Sequence, residues 1–217
     1  MQNKIKGCFF DLDGTLVDSL PGIHKAVVMS LEYLAMQPCS LKETKSFIGN
    51  GVDFLIKKIM DIRFITEFET LKNLFLTNYK KVYLNNSPKY SGCKEVLFKI
   101  HESVTPNLAC ITNKPYKYAS DILYSEGLDF KLLIGGDDSK IRKPSGNGII
   151  KACEFFDVDP NSCIYIGDSL VDFQASKSAG CNFIFASYGY GSLDFTPILS
   201  IDSIQELLIK IKSSFYD

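Results

Sequence analysis

Five short apolar runs recur along this chain of 217 residues, each too brief for a helix and most of them followed by an amphipathic stretch. They read as strands over 5–10, 108–111, 132–134, 163–166 and 183–186. Helix-period segments occupy roughly 92–102, 115–126, 145–157 and 170–179, with a last one at 203–212. Strands separated by helices of that length need crossover connections. These are right-handed and build a parallel sheet with helices on both faces. Gly7 and the Gly135-Gly136 pair punctuate the strands, and Gly180 falls where a helix should end. The interval 16–86 breaks the rhythm. It holds no good strand, but three helix-period segments at 23–36, 52–60 and 67–84. Pro21 suits a helix start, and Asn85-Asn86-Ser87-Pro88 reads as a return linker. The expected architecture is an α/β core from 1–15 and 87–217, with an all-helical module at 16–86 inserted after the first strand.

The polar residues that end these runs suggest chemistry. Asp11 and Asp13 close the first run, and in an open α/β sheet that strand end is where ligands bind. Two residues apart on extended chain, they face the same way and repel unless a cation or a shared proton relieves them. Mg²⁺ is the simplest relief, since it takes carboxylate and carbonyl oxygens and keeps substrate phosphate among its ligands. Thr112-Asn113-Lys114 follows the second run, where a hydroxyl and backbone N–H groups can cradle a phosphate. Arg142-Lys143-Pro144 ends the loop after the third, aiming an ammonium at the same crevice. Gly167-Asp168-Ser169 follows the fourth, and a helix from Leu170 would turn Asp172 toward the face of Asp168. Each piece alone has an ordinary reading. Asp-x-Asp forms turns, Thr112 and Asp168 suit helix N-caps, Lys143 suits solvent, and Asp172 suits a first helical turn. Together they suggest metal-assisted phosphoryl chemistry.

Other classes are disfavoured. A net charge of −1 gives no basic field for nucleic acid or an anionic membrane. The seven cysteines (8, 39, 93, 110, 153, 163 and 181) form no C-x-x-C pair, which fits reduced, packed thiols in a cytosolic protein. The opening residues carry no leader pattern, and no apolar run approaches a membrane span, so a soluble cytoplasmic protein is expected. His24 and His101 read as surface or packing residues, and Phe47 and Phe54 as part of the helical module's own core.

These motifs resemble those of the haloacid dehalogenase superfamily over nearly the whole length, in the branch whose helical cap follows the first motif. Asp11-Leu-Asp-Gly-Thr15 matches the first motif, Thr112 the second, Lys143 the third and Gly167-Asp168-Ser169-x-x-Asp172 the fourth. Phe47-Ile-Gly-Asn-Gly51, Thr112-Asn-Lys114, Gly135-Gly-Asp-Asp138, Ala175-Ser-Lys-Ser-Ala-Gly-Cys181 and Tyr188-Gly-Tyr-Gly191 are similar to the phosphoglycolate phosphatase group. The resemblance implies a Rossmann-like core with a cap, and a Mg²⁺-dependent phosphatase acting on a small phosphorylated metabolite such as 2-phosphoglycolate through an aspartyl-phosphate. Asp11 would be the nucleophile and Asp13 the general acid, then base. Asp11, Asp13 through its carbonyl, and Asp168 would hold the metal, with Asp172 acting through water or another ligand. Thr112, Asn113, Gly14 and Lys143 would bind phosphate. Gly49 and Asn50 would approach the substrate, unless that loop is simply a helix-to-helix turn. A monomer or a loose homodimer fits. A β-phosphoglucomutase-like phosphotransferase and a catalytically silent binding protein on the same scaffold are the alternatives, and Asp13 disfavours a dehalogenase. One departure stands out. Ser145-Gly-Asn-Gly148 follows Lys143-Pro144, and its two glycines weaken helix entry by about 1 kcal/mol each, so Lys143 is expected to be less rigidly aimed.

Overall fold

The computed structural model describes residues 4–216. Residues 1–3 and 217, the outermost of the expected 1–15 and 87–217 unit and, at its start, of the opening stretch read for a leader pattern, lie outside the described residues. Six parallel strands form one sheet: β1 (Gly7–Phe10), β2 (Leu108–Ile111), β3 (Leu132–Ile134), β4 (Cys163–Gly167), β5 (Asn182–Ala186) and β6 (Ser200–Ile201). Their order is β3-β2-β1-β4-β5-β6. Every residue of β1, β2 and β4 is buried, because helices cover both faces. Side chains therefore alternate between two cores. Phe9, Ala109 and Tyr165 pack with Ile149 and Ala175, on the side of α7 (Asn147–Phe156) and α8 (Leu170–Ala179). Cys8, Phe10 and Ile166 face α5 (Cys93–Ser103), α6 (Tyr116–Ser125) and α9 (Leu207–Phe215).

Four helices lie between β1 and α5: α1 (Leu20–Tyr33), α2 (Leu41–Ser46), α3 (Val52–Arg63) and α4 (Phe68–Val82). Ile23, Val27 and Leu31 of α1 join Ile56 and Ile59 of α3 and Leu71 and Phe75 of α4 in an apolar cluster continuous with the core. The chain leaves and re-enters the sheet layer at one place. Asp18 N–H donates to the Pro88 carbonyl at 2.8 Å and Tyr90 N–H to the Leu16 carbonyl at 3.0 Å, so the two connections run side by side. No helix among the described residues is long and apolar enough to cross a membrane.

Two elements are absent from the sequence reading. Helix α2 is polar and under two turns long, so it has no apolar period. Its signal is local: the Ser40 hydroxyl accepts from Glu43 N–H at 3.2 Å while the Glu43 carboxylate accepts from Ser40 N–H at 2.6 Å. That Ser-x-x-Glu capping box is legible in sequence. Strand β6 spans two residues, too few for any periodicity. Helix α7 also begins at Asn147, two residues after its expected start.

Candidate active site

Strand order reverses between β1 and β4, so their C-terminal ends open into a crevice. Phe10 is in register with Cys110 on one side and Ile166 on the other. The next residue, Asp11, donates its N–H to the Ile166 carbonyl at 2.9 Å, which fixes it at the crevice floor. Carboxylate oxygens of Asp11, Asp168 and Asp172 lie within 4.8 Å of one another, and all three residues are buried. Lys143 Nζ lies 2.7 Å from Asp11 Oδ1 and 2.6 Å from Asp172 Oδ1. The first of these contacts is a close ion pair without hydrogen-bond geometry, so Asp11 Oδ1 has no hydrogen-bond partner in the protein. Asp13 turns its Oδ2 to Lys114 Nζ at 2.9 Å, and its Oδ1 is likewise without a partner. Thr112, just past β2, is held by its N–H to the Ile134 carbonyl at 2.9 Å.

Burial dominates the electrostatics. It pushes the Asp11 carboxyl up to about 7, against the pull of Lys143 and with the push of Asp172. Burial, then Asp172 and Asp11, raise Asp168 well above the usual carboxylate range. Burial opposes the charge of Lys143, but Asp11 and Asp172 outweigh it and hold the ammonium protonated. Four buried acids (Asp11, Asp13, Asp168 and Asp172) face only two buried ammoniums (Lys114 and Lys143), so full ionisation of the four would leave two negative charges uncompensated. A hard divalent cation fits that deficit and the oxygen-only donor set. Gly14 is part of the same fit. At φ +84° it lies so close to Asp168 that a Cβ would strike the carboxylate. Asp168 Oδ2 is fixed by the N–H groups of Tyr190 at 2.6 Å and Gly191 at 3.3 Å. Asp172 has both oxygens engaged: Oδ1 with Lys143, Oδ2 accepting from Ser169 N–H at 3.1 Å at the start of α8.

The expected looseness of Lys143 is corrected by Asn113. Lys143 N–H donates to Asn113 Oδ1 at 2.8 Å, and Asn113 Nδ2 donates to the Lys143 carbonyl at 3.0 Å. The backbone of Lys143 is thus held across the crevice, whatever the glycines after Pro144 do to helix entry. Asn113 Nδ2 also donates to the Gly49 carbonyl at 3.0 Å, tying the α2–α3 loop to the sheet edge. A cavity of about 50 Å³ lies beneath that loop, lined by Asp11, Asp13, Thr112, Asn113 and Lys114 below and by Phe47, Gly49 and Tyr79 among others above. Asn50 is not among its lining residues, while both flanking glycines are. Phe47 lines the cavity instead of serving only the helical module's interior. Phe54 is half-buried, with the Lys58 ammonium 5.5 Å from its ring centre. His24 Nδ1 pairs with Thr44 Oγ1 at 2.9 Å within the helical layer, and His101 is exposed beside Glu102.

A haloacid dehalogenase-like hydrolase family model matches residues 8–186, from β1 to the end of β5. The chain belongs to that family. It is 31% identical over 233 residues to a phosphoglycolate phosphatase of Escherichia coli (strain K12), covering 94% of this chain and 91% of that one. It is 34% identical over 209 residues to a phosphoglycolate phosphatase of Thiobacillus denitrificans, covering 92% and 91%. Among solved structures, a predicted phosphoglycolate phosphatase from Haemophilus somnus 129pt superposes with a TM-score of 0.88 at 30% identity, over 94% of this chain and 97% of that one.

In this haloacid dehalogenase-like hydrolase, three site residues carried no role in the sequence reading. Lys114 was visible only as part of Thr-Asn-Lys, and nothing in its spacing indicates a pair with Asp13. Tyr79 belongs to an apolar helical period that reads as core. Tyr190 lies 22 positions from the Asp168 carboxylate that it anchors.

Proposed function

We propose that this hydrolase cleaves a small phosphate monoester, with 2-phosphoglycolate as the best candidate, through an aspartyl-phosphate. The observation that carries the reading is the convergence of Asp11, Asp13, Thr112, Lys143 and Asp168 from four strand ends on one crevice. The substrate comes from the relatives named phosphoglycolate phosphatase, which match nearly end to end.

Asp11 attacks phosphorus, forming an O–P bond as the ester O–P bond breaks. Thr112 Oγ1 and the Asn113 N–H, which donates to no protein group among the described residues, hold phosphate oxygens beside Gly14. Lys143 orients Asp11 and offsets charge on nucleophile and phosphate. Asp13, through its unpartnered Oδ1, gives a proton to the leaving oxygen and then takes one from the water that attacks phosphorus, releasing phosphate and restoring Asp11. Asp11, the Asp13 carbonyl and Asp168 would hold Mg²⁺, which neutralises the acid cluster and the charge developing on the phosphoryl group. Residues 16–86 serve as a cap. Its apolar lining, tied down through Gly49, keeps bulk water from the reacting groups. Seven free, buried thiols fit a cytoplasmic setting. A monomer or a loose homodimer would serve this chemistry equally.

Phosphate release from a panel of phosphorylated metabolites, with Mg²⁺ and with chelator, tests the proposal. Turnover should be highest on 2-phosphoglycolate and vanish with chelator. Preference for a hexose or nucleotide phosphate would remove the substrate assignment, and no release from any ester would remove the phosphatase.

A further inference from the structure

Lys114 is a buried cation that lines the cavity beside Asp13. Of its three N–H donors, one meets Asp13 Oδ2 at 2.9 Å, and no other protein acceptor takes a hydrogen bond from it among the described residues. Lys143, the other cation of the crevice, is committed to Asp11 and Asp172. Beside Lys114 stands Tyr79, whose ring centre is 5.2 Å from the ammonium and whose buried hydroxyl faces Lys114 and Ser87 without good hydrogen-bond geometry to either. Unused donors buried in this way are costly unless a ligand supplies acceptors. The rest of the roof cannot supply them. Phe47, Ile48, Val52, Leu55 and Phe75 line it, and none carries a charge or an acceptor side chain.

We infer that Lys114 and the Tyr79 hydroxyl form the receptor for a carboxylate on the leaving group, and so select a small phosphorylated acid over a neutral phosphate ester. The inference rests on the phosphatase reading above and deepens it. Asp13 Oδ1 is the oxygen left for the ester oxygen, so the Lys114 ammonium on Oδ2 of the same carboxylate lies beside whatever follows that ester oxygen. A carboxylate one carbon away accepts from an ammonium and a phenol O–H together, and needs no donor in return. A second phosphate would bring a dianion into a small cavity with no further free cation to meet it. A sugar would bring hydroxyls to a roof of apolar side chains.

The test compares 2-phosphoglycolate with ethyl phosphate, which keeps the ester and lacks the carboxylate, by the ratio of their kcat/KM values. The wild type should favour 2-phosphoglycolate by roughly 30-fold or more, as expected when charged hydrogen bonds are lost with the carboxylate. Lys114→Met should collapse that ratio, with the loss appearing mainly in KM for 2-phosphoglycolate. Tyr79→Phe should lower it about 5-fold. This second variant also guards against a folding failure in the first, because the Tyr79 hydroxyl makes no hydrogen bond of good geometry and its removal should change Tm little. A ratio retained in both variants, with kcat falling alike on the two esters, would make Lys114 a positioning residue for Asp13 and overturn the inference. A wild type that hydrolyses both esters equally well would overturn it while leaving the phosphatase intact. A wild type that hydrolyses neither would overturn both.

Discussion

Asp11 is held against its own charge. Only 3% exposed, it shares a pocket with Asp168 and Asp172, and Lys143 offsets the repulsion only in part. Asp11→Asn takes one acid out of a cluster in which acids outnumber ammoniums, so Tm should hold or rise. If the side chain is the nucleophile, phosphate release should fall by at least about 10³-fold. Calorimetry and single-turnover phosphate release check both halves, and near-normal turnover would end the covalent scheme. Residues of this kind were legible because each stands just past an apolar run or just before a helix, and such strand ends share one edge of a parallel sheet. Lys114 and Tyr79 were not. Their meaning lies in what faces them, across 101 and 66 positions of chain from Asp13.

At the scale of elements, the loops after β2 and β3 behave as one unit because Asn113 bridges them. Asn113→Ala strips three hydrogen bonds and leaves Lys143 N–H, Lys143 C=O and Gly49 C=O to find other partners. The expected cost is about 2–4 kcal/mol of stability, together with a fall in kcat of at least roughly 10-fold as Lys143 loses its aim. Denaturant melts paired with steady-state kinetics separate the two effects, and a variant with parental kcat would show that the clamp does not aim Lys143. Elements with a full period (β1, β2, β4, α4 and α5) were readable because burial on one or two faces imposes a repeat on the sequence. Helix α2 and strand β6 were not, since a capped polar turn and a two-residue edge strand bury too little to impose one.

Across the whole molecule, the seven thiols are free and buried, and burial pushes Cys8 and Cys93 up to about 12. An unfolded thiol ionises near pH ~8.5, so above that pH the native state binds more protons than the unfolded one. Stability is then fully present below pH ~8.5 and is lost as pH rises toward 12. Calorimetry from pH 8 to 11 should show Tm falling steadily. A thiol reagent at pH 8 should find seven groups in denaturant and almost none in the native protein, and rapid native labelling would contradict the packing. The sequence by itself determined the α/β class, the run of helices after the first strand, and the placing of acids, hydroxyl and lysine at the strand ends. Apolar periodicity and short-range spacing encode those features directly. Only the tertiary structure decided which oxygen of Asp13 is free, that Asn113 rather than helix entry holds Lys143, and that Tyr79 and Lys114 meet over the cavity. Those outcomes depend on side chains from distant segments packing within hydrogen-bond reach, a distance that no local pattern records.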